Sequence, residues 1–130
     1  MKFGYTILYV PSVMDSIDFF ERAFGLMRGF VHEGGDYGEL VTGTTTLAFA
    51  AHTLGHSNFP GGYVQASASP KPLGIEIALI TNDVTTAHAK ALAAGAAELK
   101  APILKPWGQT VSNVRCPDGC LIELCTPVDG

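Results

Sequence analysis

Two stretches of this chain repeat one another, and that repeat limits the possible folds more than any other feature. Tyr5-Thr6-Ile7-Leu8-Tyr9-Val10 is followed by a break at Pro11-Ser12 and a helical pattern from Val13 to Phe24 that ends at Gly25. Roughly 70 residues later Glu76-Ile77-Ala78-Leu79-Ile80-Thr81 is followed by a break at Asn82-Asp83 and a helical pattern from Val84 to Ala94 that ends at Gly95. Two copies of a unit this long argue against a solenoid and for two half-modules that bury a shared core. Such duplication also makes a pseudo-symmetric seam where a ligand can bind.

Within the first unit, Phe3 to Val10 is rich in aromatic and β-branched residues and reads as a strand. Ser12 precedes a helix in which Val13, Ile17, Phe20 and Phe24 recur at helical spacing, with Asp15 in the first turn. Leu26 to Glu33, Tyr37 to Thr42 and Thr45 to Ala51 read as three further strands, parted by Gly34-Gly35-Asp36 and by Gly43. The second unit repeats the order: a strand from Ile75 to Thr81, an Ala-rich helix from Val84 to Ala94, and strands near 97–101, 109–115 and 120–125. Between the units, residues 53–73 are rich in Gly, Pro and Ser without a sustained period and read as a linker or lid. The expected fold class is α+β, one domain over 1–130, with βαβββ modules at 1–52 and 74–130.

At 130 residues the chain is long enough for one core, and 47% hydrophobic residues supply it. Eight Lys plus Arg against twelve Asp plus Glu, with no basic block, argue against a nucleic-acid partner. The opening apolar run is too short, and too soon broken by Pro11, for a signal or membrane segment, so a cytoplasmic protein with no membrane partner is expected. Cys116, Cys120 and Cys125 are expected as free thiols. The Pro-Asp-Gly between the first two is ordinary turn chemistry, and no second Cys or His pair completes a tetrahedral zinc set. No Ser-His-Asp order, nucleotide-binding glycine loop or HExxH pattern occurs, and no nucleotide cofactor is expected.

The repeat order, the Tyr-Val-Pro-Ser-Val join, the Phe-Phe-Glu-Arg-Ala-Phe-Gly helix end, Trp107-Gly108-Gln109 and the closing Pro-Asp-Gly-Cys-Leu-Ile-Glu-Leu run resemble the glyoxalase/bleomycin-resistance/dioxygenase (vicinal oxygen chelate) superfamily. The resemblance implies paired βαβββ modules forming a curved, mostly antiparallel, barrel-like sheet around a cavity. It also implies one helix outside each module and homodimers. Metal-using members take His, Glu or Gln ligands from the first and last strands of the modules. Carried over, those positions are Tyr5, Phe49, Glu76 and Glu123, so two carboxylates remain and no histidine.

Strand alternation, under which residues i and i+2 share a face, gives the expected lining. It groups Tyr5, Ile7 and Tyr9; Leu47, Phe49 and Ala51; Glu76, Ala78 and Ile80; and Leu121, Glu123 and Cys125. Glu39 and Trp107 are added as candidates, Trp107 as a cavity wall or interface anchor. Two functions follow. In the first, the cavity binds a small cationic or planar molecule that Glu76 and Glu123 select. In the second, Glu76 and Glu123 hold a divalent metal, with His52 or His56 as third ligand and one carboxylate as base, in a glyoxalase-like lyase or isomerase; a dioxygenase is the less favoured chemistry. A divalent metal is thus the one cofactor left open. His88, within the second helix, is expected at the surface, and His32 as an ordinary strand-end residue.

Overall fold

The computed structural model describes residues 1–128; Asp129 and Gly130, the last two positions of the expected domain range, lie outside the described residues. Eight strands and three helices follow in the order β1 (Tyr5–Val10), α1 (Val13–Phe24), β2 (Met27–Val31), β3 (Tyr37–Val41), β4 (Thr46–Ala51), α2 (His52–Asn58), β5 (Glu76–Ile80), α3 (Val84–Ala94), β6 (Ala97–Leu104), β7 (Thr110–Arg115) and β8 (Leu121–Cys125). Ser12 caps α1 by accepting from the Asp15 amide at 3.2 Å, and Gly25 closes it in the left-handed region at φ 68°. Asp83 caps α3 in the same way through the Thr86 amide. Each repeat unit therefore starts and stops its helix by the chemistry its sequence carries.

The strands form two four-stranded sheets, β1-β4-β3-β2 and β5-β8-β7-β6. In each, the first and last strands of the module pair in parallel and the other ladders are antiparallel. The fold is α+β with two modules, as expected, but the sheets are hydrogen-bonded separately and do not close into a barrel. The expected irregular linker also contains α2 and a short 3-10 turn over Ala66–Ala68. No helix among the described residues is long and apolar enough to cross a membrane.

Apolar side chains from both modules join one core. Ile17, Phe20 and Ala23 on α1 meet Leu40, Leu47 and Phe49, while Val84 and Ala91 on α3 meet Val114, Ile122 and Leu124. Phe20 and Phe49 pack at 5.0 Å between ring centroids. The cores join because α1 and α3 pack on each other. Gly38 lets α1 pack closely here, because a Cβ at this position would sit 2.6 Å from Ile17 Cδ1 and push that side chain aside. Each sheet thus buries one face under a helix and leaves the other turned away from it, and those outer faces carry most of the candidate site residues.

Candidate functional site

On the second sheet the helix-side residues are unambiguous: Ile122 and Leu124 are buried in the core beside Val114. Leu121, Glu123 and Cys125 therefore face the other way, with Glu76, Ala78 and Ile80 on β5 and Val111, Asn113 and Arg115 on β7. In register, Ala78 lies beside Glu123 and Glu123 beside Asn113. Asn113 donates from Nδ2 to Glu76 Oε2 at 3.3 Å, so it bridges the strand positions of the two glutamates. Burial, followed by the charges of Glu123 and Glu76, pushes the Cys125 thiol up from its ordinary range. The two carboxylates expected to act together do stand on one sheet face, with a neutral thiol beside them.

Arg115 is the cation this face should offer to the glutamates, but it is committed elsewhere. Its guanidinium donates to the carbonyls of Gly119, Ala66, Ser69 and Pro70, which fastens the linker to the second module. Among the described residues, neither Glu76 nor Glu123 makes an ion pair.

The first sheet's open face carries Tyr5, Ile7 and Tyr9 with Tyr37 and Glu39. Tyr37 donates to Glu39 Oε2 at 2.7 Å, and burial together with that bond pushes the phenol up to about 12. Tyr5 and Ile7 are exposed, whereas Tyr9 is covered by Phe59 and Tyr63 of the linker and accepts from Asn58 Nδ2. No hydrogen bond joins this face to Glu76 or Glu123 among the described residues.

Several expected positions are corrected. Phe49 and Leu47 do not line the open face; both are buried in the core under α1, Phe49 against Phe20. Ala51 shares their parity, so it also falls on the helix side. Strand β4 reads Thr-Leu-Ala-Phe-Ala-Ala, apolar on both faces, so its alternation could not show which side holds the helix. The register settles it: Ile7 pairs with Ala48 as Ala78 pairs with Glu123, so Ala48 and not Phe49 is the first-module counterpart of Glu123. The counterpart of Glu76 is Tyr5, as expected.

His52 and His56 lie on α2 against Tyr63. His52 Nδ1 is hydrogen-bonded to the Tyr63 hydroxyl at 2.6 Å, and His56 stacks on the same ring at 5.5 Å. Burial, then the neighbouring His56, holds His52 below the ordinary imidazole range. Neither histidine gathers with Glu76 and Glu123. Among the described residues the one group of three metal-capable side chains within 4.8 Å of each other is Cys116, Asp118 and Cys120. The glutamate face of one chain therefore does not fit a self-contained divalent-metal site.

His88, expected at the surface, is buried. Its Nε2 is hydrogen-bonded to Glu98 Oε2 at 2.7 Å and its Nδ1 to Ser112 Oγ at 2.9 Å. The set has the order of a hydrolytic triad, but Ser112 is fully buried, so it ties α3 to β7 and β6 and cannot meet a substrate. Trp107 is exposed at the turn between β6 and β7, donating to Gln109 Oε1 at 2.8 Å with the Lys105 ammonium 5.9 Å from its ring centroid. Asn113 and Arg115 were not singled out in the sequence, since polar residues within a strand carry no local signal of their partners.

A family model, Glyoxalase/Bleomycin resistance protein/Dioxygenase superfamily, matches residues 2–124. No curated protein matches the sequence. Among solved structures, a glyoxalase-related enzyme from Fulvimarina pelagi is similar at TM-score 0.81 and 18% identity, covering 98% of this chain and 88% of that one. TioX from Micromonospora sp. ML1 is similar at TM-score 0.71 and 19% identity, covering 97% and 98%. A protein of unknown function from Agrobacterium tumefaciens is similar at TM-score 0.77 and 21% identity, covering 98% and 94%.

Proposed function

Because the chain belongs to the glyoxalase/bleomycin resistance protein/dioxygenase superfamily, we propose that it is a small-molecule binding protein that selects a cationic or planar ligand on the open face of its second module. The observation that carries this reading is the pair Glu76 and Glu123, which share one sheet face without a basic partner among the described residues. Unpaired carboxylates on a surface lined by Ala78, Leu121 and Cys125 favour a ligand with a positive group and an apolar body. Asn113 orients Glu76 and adds a hydrogen-bonding edge.

A second copy of the chain completes the site in this reading. Tyr5 and Ile7 on one outer face and Ile80 on the other are 59%, 43% and 71% exposed, and contact with a second copy would take them out of water. Bringing the first-module face of one copy over the second-module face of another would place Tyr5, Ile7 and Glu39 opposite Glu76 and Glu123 and enclose the ligand. Trp107, exposed beside the end of the second sheet, supplies an aromatic anchor for either ligand or partner. Three unpaired thiols support a reducing, cytoplasmic setting. The lyase or isomerase alternative requires ligands that one chain does not gather around Glu76 and Glu123.

The test is a binding screen of aromatic ammonium compounds against their neutral isosteres, repeated on Glu76→Gln and Glu123→Gln. Preference for the cations that both variants lose supports the reading; equal affinity in wild type and variants removes it.

A further inference from the structure

The turn between β7 and β8 holds a second cluster that the glutamate face does not involve. Cys116, Asp118 and Cys120 bring one ligand atom each to within 4.8 Å of the others. Cys116 and Asp118 are buried at 3% and 8% exposure. Asp118 has no ion pair with Lys, Arg or His among the described residues. Its oxygens accept from Ser16 Oγ at 3.0 Å and from the Cys120 amide at 3.2 Å. Ser16 is in the first turns of α1, whose amino end offsets part of that charge. A buried carboxylate still calls for a cation, and here the nearest side chains able to share one are two sulfurs.

From this geometry we infer that Cys116, Asp118 and Cys120 bind a thiophilic divalent cation of the zinc class. Two sulfurs and one carboxylate oxygen make three of the four ligands of a tetrahedral set, and they need less than an ångström or so of contraction each to reach bonding positions. Counting only Cys and His in the sequence missed the third ligand, which is the aspartate of the turn itself. Ser16 and the Cys120 amide fix the carboxylate as outer donors fix a metal-bound one. The fourth position is open to water, because Asp118 forms part of the wall of two clefts, one shared with Ser16 and the other with Cys120. Forming metal–thiolate bonds displaces thiol protons and moves no electrons, so binding tightens as pH rises. The bound cation would clamp the β7–β8 turn of the second module to α1 of the first.

The experiment uses the full chain, reduced and freed of metal, titrated with cadmium as a spectroscopic stand-in and then with zinc. One cadmium per chain is expected, with a thiolate-to-metal absorption band and accompanying proton release. Cys116→Ser and Cys120→Ser should each abolish the band, while Cys125→Ser should keep it. Ser16→Ala, which leaves all three ligands in place, should weaken binding roughly tenfold. The Glu76→Gln, Glu123→Gln double variant should bind cadmium as wild type does, so failure here is distinct from failure of the ligand-binding face. Absence of the band, or the same band and affinity without Cys116 and Cys120, would overturn the inference. So would a Cys116–Cys120 disulfide in the isolated protein with no cation uptake after its reduction.

Discussion

A carboxylate, a histidine and a phenylalanine show how single side chains divide between function and support. Glu123 stands on an open face while its strand neighbours Ile122 and Leu124 are buried, so its charge is available to a ligand. Phe49 faces the other way into the aromatic packing with Phe20. Phe49→Ala is therefore expected to cost about 3–5 kcal/mol of stability, the usual range for emptying a buried aromatic site, while leaving ligand selectivity intact in whatever fraction remains folded. Chemical denaturation alongside binding measures both. His52 has a folded pKa below its unfolded value, so it binds fewer protons folded than unfolded in the window between them. Its contribution is complete above the ordinary imidazole pKa of about 6.5 and is lost as pH falls below it. The protection factors of the α2 amides, corrected for the slower intrinsic exchange in acid, should fall on acidification through that window, and His52→Gln should flatten the dependence. Glu76 and Glu123 were legible as a pair because β5 and β8 alternate; Phe49 was misplaced because β4 does not.

Helix ends and turns carry the next level. The Ser12 cap and the Asp83 cap occur at equivalent joins of the two units, so both helices were legible in the sequence to within a residue. Ser12→Ala is expected to cost about 1 kcal/mol through loss of the bond to the Asp15 amide, measurable by thermal unfolding. The buried set His88, Ser112 and Glu98 fastens α3 to its sheet. His88→Ala should cost roughly 1–3 kcal/mol by leaving the Ser112 hydroxyl buried without a partner, with no change in ligand affinity. His88 was expected at the surface because its neighbours Ala87 and Ala89 give no amphipathic signal, and its partners lie 10 and 24 residues away. Gly119 is needed twice over: its φ is 93°, and a Cβ there would come within 2.2 Å of the Ala66 carbonyl oxygen. Gly119→Ala should push the linker off the second module, which limited proteolysis within residues 59–73 would report as faster cleavage. That docking depends on Arg115 reaching three linker carbonyls, those of Ala66, Ser69 and Pro70, a convergence that only the folded chain brings about.

At the scale of the molecule, duplication produces two sheets that share one core through α1 and α3 and turn their chemically equipped faces outward. The repeat made the modules legible, but separate hydrogen bonding of the two sheets was not, because edge-to-edge pairing between modules leaves no pattern in either strand. A core joined across modules is expected to unfold as one unit, and calorimetry should show a single transition with no separately melting half. The open faces are expected to close on a second copy, which sedimentation would detect as a dimer. The account turns most directly on the charge preference of the second-module face. The decisive measurement is the affinity of an aromatic ammonium ligand relative to its neutral isostere, in wild type and in the Glu76→Gln, Glu123→Gln double variant. A preference for the cation of tenfold or more, about 1.4 kcal/mol, that disappears in a double variant of unchanged stability is the expected result. No preference in the wild type, or one that survives loss of both carboxylates, would contradict it.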